Sequence, residues 1–228
     1  MMHFRTTFLI FTVTTCVSLA ACGAAGPKRI DATTSSMRDT KSMLDRGGEQ
    51  VASVVAAARA IESAQDRTRA FEDFSKAMDR LEADAKKAQS AWASLTSRTE
   101  EYVKAWEAES AGLSSDASKQ VAASRREAFA SRFASLQADL ASVKSAYGDL
   151  MTKLSDIRIL LANDLTQDGI DAVRPFVAEA EKSASLLQAN IGKLSAKLDL
   201  EMKASSTAAP VAPAASGAAA SASTPAAK

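Results

Sequence analysis

The chain has 228 residues, 46% of them hydrophobic, and sets 28 Lys and Arg against 27 Asp and Glu. Charge balanced this evenly gives no basic surplus for a polyanion, so nucleic acid is not an expected partner. The one histidine, His3, and both cysteines, Cys16 and Cys22, lie near the start, which leaves nothing downstream for a disulfide, a His/Cys metal site or a Ser-His-Asp or Cys-His mechanism.

The chain opens "MMHFRTTFLIFTVTTCVSLAAC". His3 and Arg5 make a short basic start, and residues 6–20 form an uncharged apolar run. At roughly 15 residues this run is shorter than the roughly 20 needed to span a bilayer. A basic start, a short apolar run and small residues before a cut describe a secretory signal peptide. Leu19-Ala20-Ala21-Cys22 resembles the lipobox of bacterial lipoproteins. By that resemblance a diacylglycerol is attached to the sulfur of Cys22, residues 1–21 are removed, and residues 22–34 form a tether to the folded part. A thiolate is the side-chain nucleophile suited to such a thioether, and two or three acyl chains hold far more firmly than one. Gly23 follows the cysteine where enterobacterial inner-membrane lipoproteins place Asp, so the resemblance points to the outer membrane, facing the periplasm. Of the 28 basic Lys and Arg residues only Arg5 belongs to the leader; the remaining 27 balance the 27 acidic ones.

Apolar residues then recur at alternating steps of three and four, the spacing of a coiled-coil seam. Val51, Val54, Ala58 and Ile61 form a short first seam. It is out of phase with a second that runs Phe71, Phe74, Met78, Leu81, Ala85, Ala88, Trp92, Leu95, Thr99, Tyr102, Trp106. The phase break predicts a turn near 62–68; the alternative is one long helix over 49–109 with a slip. A third seam runs Phe129, Phe133, Leu136, Leu140, Val143, Tyr147, Leu150, Leu154, Ile157, Leu161. The fourth runs Ile170, Val173, Val177, Ala180, Ala184, Leu187, Ile191, Leu194, Leu198. Ala, Lys, Glu and Gln fill the other faces and favour helix. The spacing predicts helices over 34–62, 68–109, 117–162 and 167–203, the last three about 63, 69 and 55 Å long.

Local chemistry places the breaks. Gly47-Gly48 weakens or bends the first helix. Gly112 ends the second, and Ser115 or Asp116 caps the third. Asn163-Asp164-Leu165-Thr166 is a turn with Thr166 as N-cap, and Pro175 predicts a kink in the fourth helix. Short loops between helices of similar length make antiparallel neighbours, and the Ala pairs Ala85/Ala88 and Ala180/Ala184 predict close helix approach. Stretch 68–109 holds 7 basic and 9 acidic residues and stretch 117–162 holds 7 and 4, a bias that suits helices lying side by side. The expected fold is therefore all-α, an elongated antiparallel bundle with heptad seams over 35–203. Residues 204–228 are Ala, Ser, Pro and Thr with a single charge, too few large side chains to pack, and are expected to be a disordered tail.

Two motifs carry a family resemblance. Glu101-Tyr-Val-Lys-Ala-Trp-Glu-Ala-Glu109 is similar to an "AYxxAWExE" pattern, and Asp156-Ile-Arg-Ile-Leu-Leu-Ala-Asn-Asp-Leu-Thr-Gln-Asp-Gly169 to "DIRxxLxxDLTxxG". On these, residues 38–202 resemble an uncharacterised bacterial family, domain of unknown function 2959, whose members often carry Pro where this chain has Gln167. The resemblance implies a helical, secreted or lipidated protein and supplies no activity.

Candidate sites are few. Trp92, Tyr102 and Trp106 offer an aromatic platform for sugar or lipid, but their place on the seam reads better as core. Arg125 and Arg126 suit phosphate or an acidic partner, and a solvated helix face serves as well. Asp156, Arg158 and Asp164 form a cluster near the turn that capping and salt bridges also explain. Lys228 ends the chain, as a lysine ends small lipoproteins of the Braun type that are joined to peptidoglycan. No Gly-rich phosphate cradle occurs, and neither catalytic residues, metal nor cofactor is expected. The leading expectation is a non-enzymatic envelope lipoprotein, held at the membrane by Cys22, that acts as a scaffold or adaptor toward an envelope protein or a second copy of itself. The alternatives are a peptidoglycan-binding or tethering lipoprotein acting through the tail and Lys228, and a lipid-handling protein whose amphipathic helices open on membranes.

Overall fold

The computed structural model describes residues Ala25–Thr207. Cys22, Lys228, the leader and the tail from residue 208 lie outside the described residues. Four α-helices account for nearly all the rest: α1 Ala25–Ser63, α2 Arg67–Ala111, α3 Asp116–Asn163 and α4 Gln167–Thr207. Their 39, 45, 48 and 41 residues correspond to rods of about 60 to 70 Å. Loops of three or four residues join them, so each helix runs antiparallel to the next. α1 packs on α2 and α4, and α3 on α2 and α4, which closes a four-membered ring around one core. The all-α antiparallel bundle read from the seams is the observed fold.

Each seam faces inward. Val51 and Val54 of α1, Phe74 and Leu95 of α2, Leu150, Leu154 and Ile157 of α3, and Leu194 and Leu198 of α4 are fully buried. Every helix buries one stripe and leaves a charged face to water, so the stripes can be covered only by one another.

The phase break does separate two helices. Residues 64–66 turn the chain, and the Asp66 carboxylate accepts a hydrogen bond from the Arg69 backbone N–H at 2.9 Å, capping α2. Ser115 caps α3 by accepting from Ser118 N at 3.1 Å. Gly112 closes α2 with φ −77°, a right-handed conformation, so its value there is not left-handed freedom. In the last turn the Asp164 carboxylate accepts from Thr166 N (2.9 Å) and Thr166 Oγ1 (2.6 Å), and Thr166 Oγ1 accepts from Gly169 N (3.3 Å). Gly169 is held by space: a Cβ there would lie 2.6 Å from the Asp164 carbonyl oxygen. The Asp-Leu-Thr-x-x-Gly motif is thus one interlocked helix-to-helix corner.

Two boundaries differ from expectation. α1 starts at Ala25, not near 34, so residues 25–34 of the expected tether are helical. Thr33, the first side chain this stretch buries, is a hydroxyl and carries no apolar signature; Ser36 and Thr40 continue the buried face beside Met37. Thr33 and Thr40 donate to the carbonyls of Arg29 and Ser36, one turn back. α1 also runs unbroken through Gly47-Gly48, where the Gly48 carbonyl accepts from Gln188 Nε2 of α4 at 3.2 Å. α4 continues through Pro175 and reaches Thr207, so residues 204–207 of the expected tail are helix.

Removing a fully packed seam side chain should cost far more than removing a cap. Leu154→Ala is expected to destabilise by about 2–5 kcal/mol and Asp66→Ala by about 1 kcal/mol, read from urea unfolding midpoints. Gly169→Ala, which forces a methyl onto the Asp164 backbone, should cost about 1–3 kcal/mol.

Candidate functional site

At mid-height the α2 seam narrows. Ala85 and Ala88 occupy two successive seam positions between Leu81 and Trp92, and they line a half-open cavity of about 410 Å³. The pair Ala180/Ala184 on α4 is buried in the core, 1% and 4% exposed. All four helices wall the cavity: Leu44 and Val51 from α1, Ala85, Ala88 and Trp92 from α2, Leu140, Val143 and Tyr147 from α3, Leu187 and Ile191 from α4. α2 and α3 make the least extensive contact in the ring. The Trp92 ring stacks on Phe133 of α3, centroids 6.0 Å apart, and closes one end.

Polar groups stand at the edge. Glu82, Lys86, Gln89 and Lys144 border the cavity. Lys86 pairs with Glu82 at 2.8 Å, and its ammonium holds that carboxyl below the usual range. Burial, with a smaller contribution from the Glu82 charge, pushes the Tyr147 hydroxyl up. Two further polar side chains on the wall are already satisfied. Thr40 donates within α1. Asp84 accepts from Lys87 at 2.8 Å and from Arg46 of α1 at 3.2 Å.

Asp84 and its counterpart Asp139 are the buried carboxylates of the core, 5% and 6% exposed. Lys193 lies 2.9 Å from Asp139 Oδ1, and Lys197 pairs with the other oxygen. One aspartate thus joins α2 to α1 and the other joins α3 to α4. Lys197 and Lys193 hold Asp139 below the usual carboxylate range, and Lys87 with Arg46 does the same for Asp84. The sequence reading missed both. Each stands one residue before a seam position, Ala85 or Leu140, where a charge is costly unless paired. That misfit was the available signal, but the partners come from other helices.

A second cavity, about 370 Å³, lies at the end formed by the start of α1 and the end of α4, and Tyr102, Trp106, Arg125, Phe129 and Arg132 line it. The aromatic residues singled out from the sequence are therefore split. Trp92 is core, 7% exposed. Tyr102 and Trp106 are half-buried at this end, Tyr102 edge-on to Phe129 with centroids 5.2 Å apart. Arg126 pairs with Glu107 of α2 at 3.4 Å, and Arg125 points to the end cavity. Asp156, Arg158 and Asp164 are not brought together: Asp156 is exposed, Arg158 reaches Asp79 of α2 at 3.6 Å, and Asp164 is spent on the corner. Among the described residues no group of three His, Cys, Asp or Glu side chains is placed to hold a metal ion. No helix among them is long and apolar enough to cross a membrane.

Compared with protein-family models, with curated proteins and with solved structures, the chain finds no match in any of the three.

The buried aspartates predict an acid-labile bundle. Folding lowers their pKa below the ordinary 3.8. The ion pairs therefore stabilise fully above that value, and the gain disappears as pH falls through the lower folded-state value. Asp139→Asn should cost about 1–2 kcal/mol at pH 7. The gap to the parent protein should close in urea titrations taken down through the acid range.

Proposed function

We propose that the chain is a non-enzymatic lipoprotein of the bacterial cell envelope, anchored through Cys22 and acting as a rigid helical spacer or adaptor. The observation that carries this reading is the start of α1 at Ala25, three residues beyond the lipobox cysteine. A lipid on Cys22 would then sit at the foot of the bundle with almost no slack, and the helices would stand off the bilayer as one body.

The topology gives that body two distinct ends. At the foot lie the start of α1, the 112–115 loop and the end of α4, tied by Arg29 to Glu109 and by Arg132 to Glu201 at 2.9 Å. At the far end lie loops 64–66 and 164–166, joined by Arg67, which donates to the Leu165 carbonyl at 3.4 Å and to the Gln167 side chain. Helices of this length put the far loops about 60 Å from the anchor, a reach suited to an envelope protein partner or a second copy. Gly23 favours placement in the outer membrane, facing the periplasm.

Two measurements test the reading. Cys22→Ser should abolish incorporation of labelled palmitate and move the protein from the membrane to the soluble envelope fraction; unchanged labelling would sink the anchor. A photo-crosslinking residue in place of Gln65, at the far loop, should capture one recurrent envelope protein or the chain itself in intact cells. Peptidoglycan fragments recovered on Lys228 would replace the adaptor with a wall tether.

A further inference from the structure

We propose that the mid-bundle cavity is a binding site for a fatty acid, with the acyl chain lying along the core and the carboxylate at the mouth between α2 and α3. The inference rests on the cavity itself and stands whether or not the chain is anchored by lipid.

Size and shape come first. The volume of about 410 Å³ lies in the range of roughly 300–1,000 Å³ typical of ligand pockets. The space is half-open, with exposed side chains at its edge and the core at its floor. Its α1 wall extends from Thr40 to Val51, which the helix rise makes about 16 Å long. The space is therefore a channel parallel to the helices, and a linear chain fills it better than a compact ring system.

Lining chemistry comes second. The walls are mainly aliphatic, and the two buried polar groups on them, Thr40 and Asp84, have their hydrogen bonds made inside the protein. A polar ligand would find no free partner in the channel, so an apolar one is favoured. The donors stand at the mouth. Lys86 is engaged by Glu82. Lys144 borders the cavity, and among the described residues it makes no salt bridge or hydrogen bond. The Tyr147 hydroxyl makes no hydrogen bond among them either. These two residues are three apart on α3 and so share a face. A solvent-facing ammonium and a half-buried hydroxyl, neither engaged by another side chain, beside an aliphatic channel match a carboxylate on an acyl chain. α2 and α3, the least tightly joined neighbours, provide the side entrance.

The full chain carrying Cys22→Ser, stripped of co-purified lipid, is titrated with dodecanoate below its micelle concentration. Trp92 lines the channel, and Trp106→Phe removes the other indole, so Trp92 emission reports occupancy. A saturable one-to-one shift at micromolar ligand is expected. Ala88→Leu, which fills the channel, should weaken binding at least about tenfold while the melting temperature holds or rises. Should Ala88→Leu not fold, Ala85→Met fills the same space with a more adaptable side chain. Lys144→Gln should weaken dodecanoate several-fold and leave dodecanol unaffected, which separates a carboxylate contact from chain burial. No saturable shift in the unfilled protein, or equal binding in the filled one, would overturn the site and leave a packing gap. Binding of lysophosphatidylglycerol but not dodecanoate would overturn the fatty-acid assignment.

Discussion

Everything in this bundle depends on burying one apolar stripe per helix. A rod of about 60 Å that presents Leu, Ile, Val and Phe along one side cannot hide them by itself. Each fully buried aliphatic side chain contributes about 1.5–3 kcal/mol, so the stripes hold the structure together only when all four meet. Loops of three or four residues then leave little choice of topology. The caps at Asp66 and Ser115 and the Asp164–Thr166–Gly169 corner decide where each rod stops, and hence which stripe residues stand level.

Apolar stripes are permissive about register, because one heptad layer resembles the next. The buried aspartates supply the missing restriction. Asp84 is held by Arg46 of α1 as well as by Lys87 of its own helix, whereas Asp139 is paired, among the described residues, only by Lys193 and Lys197 of α4. A slip of α4 by one heptad would take both lysines from Asp139 and leave a buried carboxylate unpaired, which is costly. Ser195, donating to Asp45 at 2.8 Å, adds a similar tie between α4 and α1. The charged outer faces follow the same alignment, with Glu107 and Asp79 of α2 meeting Arg126 and Arg158 of α3.

Alanine has opposite consequences in two places. On α4, Ala180 and Ala184 sit in the core on the helix that meets α1, where Gly48 also keeps the surface low and its carbonyl takes a hydrogen bond from Gln188. On α2, Ala85 and Ala88 line the cavity one and two turns before Trp92, whose ring stacks on Phe133 of α3. Their short side chains leave space beside those large rings. The same residue type packs tightly or leaves space according to its neighbours on the facing helix.

The sequence by itself determined the helices, their seams and the corner at Asp164, because heptad spacing and capping are local and act within a few residues; it pointed to a turn near 62–68 and left one long helix over 49–109 open. It concealed the first ten residues of α1, where the residue that faces the core, Thr33, is a hydroxyl bonded within the helix and so lacks an apolar signature. Only the tertiary structure decided which helices are neighbours, that Asp84 and Asp139 are paired, and that Tyr102 and Trp106 lie at one end while Trp92 walls a central channel. Those outcomes depend on distances between residues far apart in the chain, and helical periodicity sets which face a residue occupies, not how far away the opposite face will be.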